Sequence, residues 1–311
     1  MAEKKMDQNT VDLLKLIADF DGEGFNGAFN IRGNCTSLAR KSTENIVIEP
    51  KKDQPGMDIR IAPGTKGEDV YIPACVTAPG IDDLVYNDFY IGEGADVRIV
   101  AGCGIHTETG EAARHSGIHR FFVGKNARAL YMEKHVGTGS EDTIKTIDPQ
   151  TECFLEEGAY LEMNTSQIGG ITTTVRSTRA KRAEGATMVI KESLLTEKEQ
   201  TAKTFFEVEL NGKGSGVNLI SRSVAKDNSY QAYESNIIGN AECSGHSECD
   251  AILSGNGRVD AAPKLIANNR DAALIHEAAI GKIAGEQILK LRTLGLTEEE
   301  AEQAIIDGFL K

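Results

Sequence analysis

The chain is poor in several residue types, and each shortage limits what the protein can be. None of its 311 residues is tryptophan, aromatic residues make up only 5%, and 34 Lys and Arg are outnumbered by 47 Asp and Glu. The resulting formal net charge of -13 argues against nucleic-acid binding, which depends on clustered Lys and Arg. The one local basic cluster, RSTRAKR at 176–182, is interpreted as a solvated turn, with contact to an acidic partner as the alternative.

Long apolar runs are also missing. No segment is apolar for long enough to cross a bilayer, and the start MAEKKMDQNT lacks the apolar core of a secretory signal. We therefore expect a cytoplasmic protein without a membrane partner. Cysteines in that reducing compartment are poor disulfide candidates, and their scatter argues against a zinc ribbon. The six are Cys35, Cys75, Cys103, Cys153, Cys243 and Cys249.

Common nucleotide-binding and hydrolase motifs are absent as well. The chain contains no GxxxxGK[ST] phosphate loop, no GxSxG elbow and no GxGxxG that opens a helix. These absences argue against an NTPase, a common hydrolase and a dinucleotide-dependent enzyme. We expect a protein that is not an enzyme by itself.

Repeats dominate what is present. Three similar segments contain Ala95, Ala127 and Ala159 at intervals of 32 residues, and a looser copy places Ala186 27 residues further on. Each copy alternates apolar and polar residues around a short turn, which predicts half-buried strands. A strand-turn-strand unit that recurs in this way can bury its apolar face by stacking on the next copy. We therefore predict a β-solenoid, with a β-sandwich as the alternative.

Both ends of the chain are predicted to be helical. Thr10 is predicted to cap a first helix, apolar residues at helical spacing predict a helix over 277–293, and Thr297 with Glu300 forms a capping box for a last helix. The predicted division is a helical or mixed segment (1–57), a β core (58–268) and a helical C-terminal region (269–311).

A first polar cluster contains Cys103, His106, His115 and His119. Imidazole and thiolate ligands suit zinc or iron, and a metal-dependent hydrolase that uses the three histidines is one reading. Packing or backbone hydrogen bonds explain the same residues without a metal. The sequence leaves their role open.

A second cluster contains Cys243, His246 and Cys249. In an extended strand Cys243 and Cys249 point to one side and His246 to the other, unless the chain turns at Gly245. The three residues then cannot bind one ion, and Cys249 is interpreted as an inward core thiol.

A third candidate pairs His276 with Glu277. A carboxylate at the start of a helix is favoured by the helix dipole, so Glu277 has a ready structural explanation. The two side chains can also bind iron through nitrogen and oxygen while a thiolate arrives from a neighbouring strand.

Four stretches near the C-terminus follow one another in a distinctive order: SECDAILSG, PKLIAN, ALIHEAAIGKI and QILKLRTLGLTEEEAEQAIIDGF. In this order they resemble the SufB/SufD family of iron-sulfur cluster assembly scaffolds, and SufB-type members most. The match is dense over 240–311 and looser through the repeats. It implies a mainly β protein, a right-handed parallel β-helix with helical N- and C-terminal segments.

The resemblance also implies a function and partners. Members pair through the last rungs of their β-helices, as a homodimer or a SufB/SufD-type heterodimer, and their C-terminal helices bind a SufC-like ABC ATPase. Cys249 matches a cysteine proposed to hold the nascent cluster, Glu277 matches an acidic ligand, and His276 is adjacent. The cluster, assembled with sulfur from a donor protein, is expected to be transient and not to survive purification in air.

Two departures from the family pattern keep an alternative open. Asp260 stands where SufB-type sequences tend to carry a histidine, and the long N-terminal region of the family is reduced to about one helix and linking sequence. A SufD-like structural adaptor that binds no cluster is the alternative to a cluster-holding scaffold.

Overall fold

The computed structural model describes residues 6–108 and 110–311 and confirms a mainly β architecture with helices near both ends. The elements are α1 (Gln8–Ala18), β1 (Ala28–Gly33), β2 (Thr36–Lys41), β3 (Ile46–Pro50), β4 (Gly56–Ile61), β5 (Lys66–Val76), β6 (Asp82–Ile91), β7 (Asp96–Thr107), β8 (Ala113–Val123), β9 (Arg128–Gly139), β10 (Lys145–Ile147), β11 (Gln150–Leu155), β12 (Tyr160–Ile168), β13 (Thr173–Arg182), β14 (Thr187–Thr196), β15 (Thr201–Leu210), β16 (Ser215–Ala225), β17 (Tyr230–Gly239), β18 (Cys243–Leu253), β19 (Arg258–Ala267), β20 (Ala272–Gly281), α2 (Gly285–Arg292) and α3 (Glu298–Phe309).

Two long sheets face each other across the core. Sheet A runs β2-β1-β5-β7-β9-β12-β14-β16-β18-β20, and sheet B runs β19-β17-β15-β13-β10-β8-β6-β4-β3, with β11 continuing the place of β10 between β8 and β13. Neighbours are parallel except in the hairpins β1–β2 and β3–β4. The chain crosses to the opposite sheet between two parallel neighbours of the same sheet. This path forms a solenoid of about eight turns and excludes the β-sandwich alternative.

The repeated alanines mark one corner of this solenoid. Ala95, Ala127 and Ala159 are at most 1% exposed. Each follows a tight turn, and each backbone N–H donates to the carbonyl three residues earlier. Arg128 and Tyr160 then donate to the carbonyls of Ala95 and Ala127 at 2.7 and 2.8 Å, which links one turn of the solenoid to the next. A small side chain suits this tightly packed corner.

Helix α1 packs against the outer face of sheet A. A Cβ atom at Gly102 would lie 2.7 Å from the Cβ of Ile17, and one at Gly104 would lie 2.9 Å from Leu13 Cδ2, so these two glycines allow the close approach. The helix cap differs from the prediction, because Asp7 and not Thr10 is the N-cap. The Asp7 carboxylate accepts the Thr10 N–H at 2.7 Å.

The strands extend beyond the predicted core on both sides. β1 to β3 lie within 1–57, and β20 occupies 272–281, so the helix predicted from residue 277 begins too early. The basic run 176–182 is also not a turn, since it lies within β13 and buries Arg176 and Arg182. The capping box of Thr297 and Glu300 is confirmed. Within the described residues, no helix has the length and apolar character needed to span a membrane.

Candidate functional site

The C-terminal end of the solenoid is open. β19 and β20 are the last strands of their sheets and pair on one side only, with β17 and β18. Inward side chains here pack on the core but stay partly exposed, whereas their counterparts in earlier turns are buried. They are Ala261, Leu265, Ala272 and Leu274. An uncovered sheet end with apolar contents invites pairing with another chain.

Cys249 lies one strand away from this end. It is in register with Ser221 of β16 and with Ala278 of β20. The side chain points into the core and is 1% exposed. Burial, with the nearby Glu192 and Asp250 carboxylates, raises the pKa of the Cys249 thiol to about 12. In this conformation Cys249 is a protonated thiol and not a metal-binding thiolate.

His276 lies on the same side of sheet A as Cys249. It is in register with Ser247, which is buried like Cys249 two residues later in the same strand. Its ring Nδ1 donates to the Ser247 carbonyl at 3.1 Å. The structure therefore places His276 and Cys249 on the inner side of neighbouring strands. The second ring nitrogen of His276 takes no part in the hydrogen bond to Ser247.

Glu277 faces the opposite way. It is in register with Glu248, and its side chain is 69% exposed. Its Oε2 lies 4.0 Å from Nε2 of His246, whose Nδ1 contacts Asn218 Oδ1 at 2.9 Å. Because successive residues of a strand point to opposite faces, Cys249 and Glu277 of one chain lie on different sides of sheet A.

The alternation predicted for the second cluster is confirmed. Cys243 and Cys249 are buried and His246 lies on the outer face, since Gly245 continues the strand without a turn. Throughout residues 6–108 and 110–311, no three His, Cys, Asp or Glu side chains are grouped as a metal site. A metal or cluster at Cys249 therefore needs ligands that a single chain in this conformation does not assemble.

The first cluster forms separate contacts. His106 Nδ1 is 2.9 Å from Thr138 Oγ1, His115 Nδ1 is 3.1 Å from Asp83 Oδ2, and His119 Nδ1 is 3.0 Å from the Tyr131 hydroxyl. Cys103 is buried, and burial raises the pKa of its thiol well above the usual range. These residues act as parts of hydrogen-bonded packing, which weighs against the metal-dependent hydrolase.

Sequence reasoning missed an ionic network inside the solenoid. Arg176 donates from Nη1 to Glu133 at 2.7 Å, lies 3.5 Å from Glu192 through Nε, and contacts His135 Nδ1 at 3.3 Å. Burial alone would raise the pKa of Glu133, but His135 and Arg176 hold it well below its usual range. The sequence did contain a signal for this network, the alternation of inward and outward residues along β9. Glu133 and His135 continue the inward positions that begin with Tyr131.

The C-terminal helices follow β20, and α3 contacts the solenoid at β14 and at the turn after β18. α3 is anchored through buried Ala301 and Ile306, and Ser193 Oγ donates to the Leu310 carbonyl at 2.9 Å. α2 has no buried residue, and Leu289 and Leu294 are 61% and 75% exposed. The helix pair therefore exposes Leu289 and Leu294, while α3 holds the pair on the solenoid.

Comparison with known proteins points to one family. Residues 87–309 match the family model described as "SUF system FeS cluster assembly, SufBD core domain". A SufBD family protein of Archaeoglobus fulgidus is 34% identical over 277 residues, which cover 88% of this chain and 73% of that protein. A SufBD family protein of Methanothermobacter thermautotrophicus is 29% identical over 84% of this chain and 64% of its own length.

A more distant relative is the iron-sulfur cluster assembly protein SufB of Bacillus subtilis, which is 24% identical over 71% of this chain and 47% of that protein. The chain thus spans about half of this relative and about two thirds of the one from Methanothermobacter thermautotrophicus. The family model covers most of the solenoid, including its open end and both C-terminal helices. The chain belongs to the SufBD family of the SUF system for iron-sulfur cluster assembly.

Proposed function

We propose that this chain is a scaffold on which a nascent iron-sulfur cluster is assembled at the open end of the solenoid, where a second chain pairs with it. The observation that carries the proposal is the position of Cys249, which lies one strand from an uncovered sheet end in a member of a cluster-assembly family. Thiolate is the natural ligand of iron-sulfur clusters. His276 and Glu277 are the proposed additional ligands.

Opening of the last turn is part of this proposal. Cys249 is buried and its thiol pKa is raised, so the thiol must be uncovered before it can bind iron. Separation of β20 from β18 would expose Cys249 and free Glu277 to approach it. Alternatively, the second chain would supply the carboxylate. Weaker ligation by carboxylate or imidazole suits a scaffold that must release its cargo.

An ATPase is the proposed source of that motion. Leu289 of α2 and Leu294, two residues after its end, are exposed and offer a docking surface for a SufC-like ABC ATPase. α3 connects that surface to the solenoid through Ser193 and Ser254. Joining of two ATPase subunits on ATP binding would move the two attached scaffold chains relative to each other. The residues from about 270 onward would transmit this movement to the last turn.

The alternative is a SufD-like adaptor that holds no cluster. Two observations favour it, the burial of Cys249 and the absence of a three-ligand group among the described residues. An adaptor would keep the pairing end and the ATPase surface but would bind no iron.

Anaerobic reconstitution tests the proposal. The chain, copurified with its ATPase, is incubated with ferrous iron and sulfide, and visible absorbance with acid-labile sulfide is measured. We expect Cys249→Ala to lose most of the cluster, because it removes the thiolate ligand.

Cys243→Ala is the matched control, since Cys243 is a buried thiol of the same strand on the same side. It should retain the cluster. Equal cluster content in wild type and Cys249→Ala would reject Cys249 as a ligand, and no cluster in any variant would support the adaptor.

A further inference from the structure

Arg182 interrupts an apolar column inside the solenoid. It occupies an inward position of β13, where it is 2% exposed and lies in register with Leu155 of β11 and Leu210 of β15. The positions that precede Leu155 in this column of sheet B are also aliphatic. They are Ile61, Ile91 and Val123. A charged side chain therefore occupies a place at which the neighbouring turns have aliphatic ones.

Two other buried arginines are paired with carboxylates. Arg32 donates to Asp83 through Nε at 2.9 Å. Arg176 donates to Glu133 through Nη1 at 2.7 Å. A buried guanidinium is normally paired in this way, because removal of an unpaired ion from water is costly. Arg182 forms no salt bridge within the part of the chain that the structure describes, so it needs a different explanation.

The guanidinium of Arg182 is only partly hydrogen-bonded. Its Nη1 donates across the core to the carbonyl of Gly216, which belongs to β16 of sheet A. Nε and Nη2 are buried and have no hydrogen-bond partner among residues 6–108 and 110–311. The N–H groups of Nε and Nη2 lie side by side on one edge of the planar guanidinium, so they point toward the same place. One acceptor can therefore bind both.

Cys153 does not neutralise this charge. It is the ionisable side chain that acts on Arg182 within the described part of the chain, and it lies on β11 two residues before Leu155. Burial raises the pKa of Cys153 to about 12, although Arg182 opposes this change, so the thiol is neutral. Burial lowers the pKa of Arg182 to about 9, which leaves the guanidinium charged at neutral pH. The described residues thus supply no counter-ion to this buried positive charge.

We propose that Arg182 binds a small inorganic anion of the size of chloride inside the solenoid, through Nε and Nη2. Charge sets the class of ligand, because an anion offsets the cost of the buried guanidinium and a neutral water molecule does not. Size narrows the class further, since Leu155 and Leu210 flank Arg182 in a closed core. A single-atom anion accepts both N–H groups, whereas a carboxylate or phosphate would bury further oxygens without donors. This inference does not depend on the function proposed above.

Anion binding at this site is coupled to folding. The unfolded chain does not hold the two N–H groups in a closed core, so the anion binds the folded chain and stabilises it. Chloride at about ten times its dissociation constant should lower the equilibrium constant for unfolding by about tenfold. Because Arg182 is buried, the anion can exchange with solvent only when the turn that contains β13 opens locally.

Urea unfolding of the full chain in sodium chloride and in sodium gluconate, at the same ionic strength, tests the site. The two salts screen surface charges equally, but gluconate is too large to enter a closed core. We expect the unfolding equilibrium constant of the wild type to fall by about tenfold when chloride replaces gluconate. Arg182→Met should lose this response. In gluconate it should be at least as stable as the wild type, because an apolar side chain then replaces an unpaired buried charge.

Arg179→Met is the matched control. The Arg179 side chain lies on the outer face of the same strand, is 59% exposed and approaches Glu207 at 3.7 Å through Nε. This variant should respond to chloride like the wild type. Equal stability of the wild type in both salts, or equal responses of the wild type and Arg182→Met, would overturn the inference.

Crystals grown in sodium bromide give a second, direct measurement. Bromide replaces chloride at such a site and is located by its anomalous scattering. We expect a bromide peak within hydrogen-bond distance of Nε and Nη2 of Arg182 in the wild type and none there in Arg182→Met. A water molecule at this place, without bromide, would contradict the assignment.

Discussion

The two ends of the solenoid are finished in different ways. At the N-terminal end the sheets terminate in the antiparallel strands β2 and β3, of six and five residues. β2 carries Arg40 and Lys41, and β3 ends at Pro50. At the C-terminal end the terminal strands β19 and β20 are ten residues each and parallel to their neighbours. β19 also carries Pro263 and Lys264, so the two ends differ in strand length and direction. Short antiparallel edge strands limit pairing with another chain, whereas long parallel edge strands permit it.

The same contrast holds inside. Ile46 and Ile59 near the N-terminal end are inaccessible to solvent, while Leu265 and Leu274 at the C-terminal end are only partly covered. A solenoid needs closure at each end to protect its core. The N-terminal end supplies closure from its own chain, whereas the C-terminal end stays open and is the end at which we propose that a second chain pairs.

The largest expected effect compares core truncations at the two ends. Ile59→Ala should lower the free energy of unfolding by about 4 kcal/mol, since it leaves a cavity in a sealed core. Leu265→Ala in dilute protein should lower it by about 1 kcal/mol, because its side chain is already partly exposed. Urea unfolding followed by circular dichroism measures both.

Protein concentration sharpens this test. If a second chain covers the open end, the loss caused by Leu265→Ala should grow as the protein is concentrated and dimer forms, whereas that caused by Ile59→Ala should stay constant. Analytical ultracentrifugation on the same samples reports the dimer. A concentration-independent loss at Leu265 would mean that no second chain covers this end.

Regular features of the solenoid and the helices near both ends of the chain were predictable from sequence, whereas the terminal strands of the sheets were not. The spacing of Ala95, Ala127 and Ala159 follows from a corner that repeats every turn. β1 to β3 belong to no repeat, so the antiparallel closure left no periodic signal. AALIHEAAIG has the alanine content of a helix, but hydrogen bonds to β18 make it the strand β20. Tertiary pairing outweighed local propensity there.

The candidate site shows the same limit. Alternation along β18 correctly placed Cys249 inward and His246 outward. Had β20 been recognised as a strand, the same alternation would have separated His276 from Glu277. The burial of Arg182 could not be predicted, because a basic run normally lies in solvent and the burial depends on the register of β13 with β11.

The core between β6 and β9 contains charged side chains, and the core between β16 and β18 contains neutral ones in their place. This difference predicts a response to acid. Burial lowers the pKa of His119 to about 4, from an ordinary value near 6.5. The charged or titratable groups acting on it are Glu133, His115, His135 and Arg176. The unfolded chain binds a proton below pH 6.5 and the folded chain does not until about pH 4, so stability is lost as pH falls through this window. The loss amounts to about 3 kcal/mol.

Hydrogen exchange at a series of pH values measures this loss by region. We expect β6 to β9 to lose protection between pH 6.5 and 4 before β16 to β18, where Ser221, Tyr233 and Ser247 replace charged groups in the core. His119→Gln should flatten the dependence. His246→Gln, on the outer face of β18, is the control and should leave it unchanged, and a slope that survives in His119→Gln would assign it to another group.

The smallest expected effect compares the helix caps at the two ends. The Asp7 carboxylate caps α1, and Thr297 caps α3 by accepting the Glu300 N–H at 3.1 Å. Loss of either cap should destabilise its helix by about 1 kcal/mol. Because α3 supports the proposed ATPase surface and α1 does not, Thr297→Ala should weaken ATPase binding by about fivefold in calorimetry. Asp7→Ala should leave that affinity unchanged, and equal weakening by both variants would place the ATPase surface elsewhere than on the C-terminal helices.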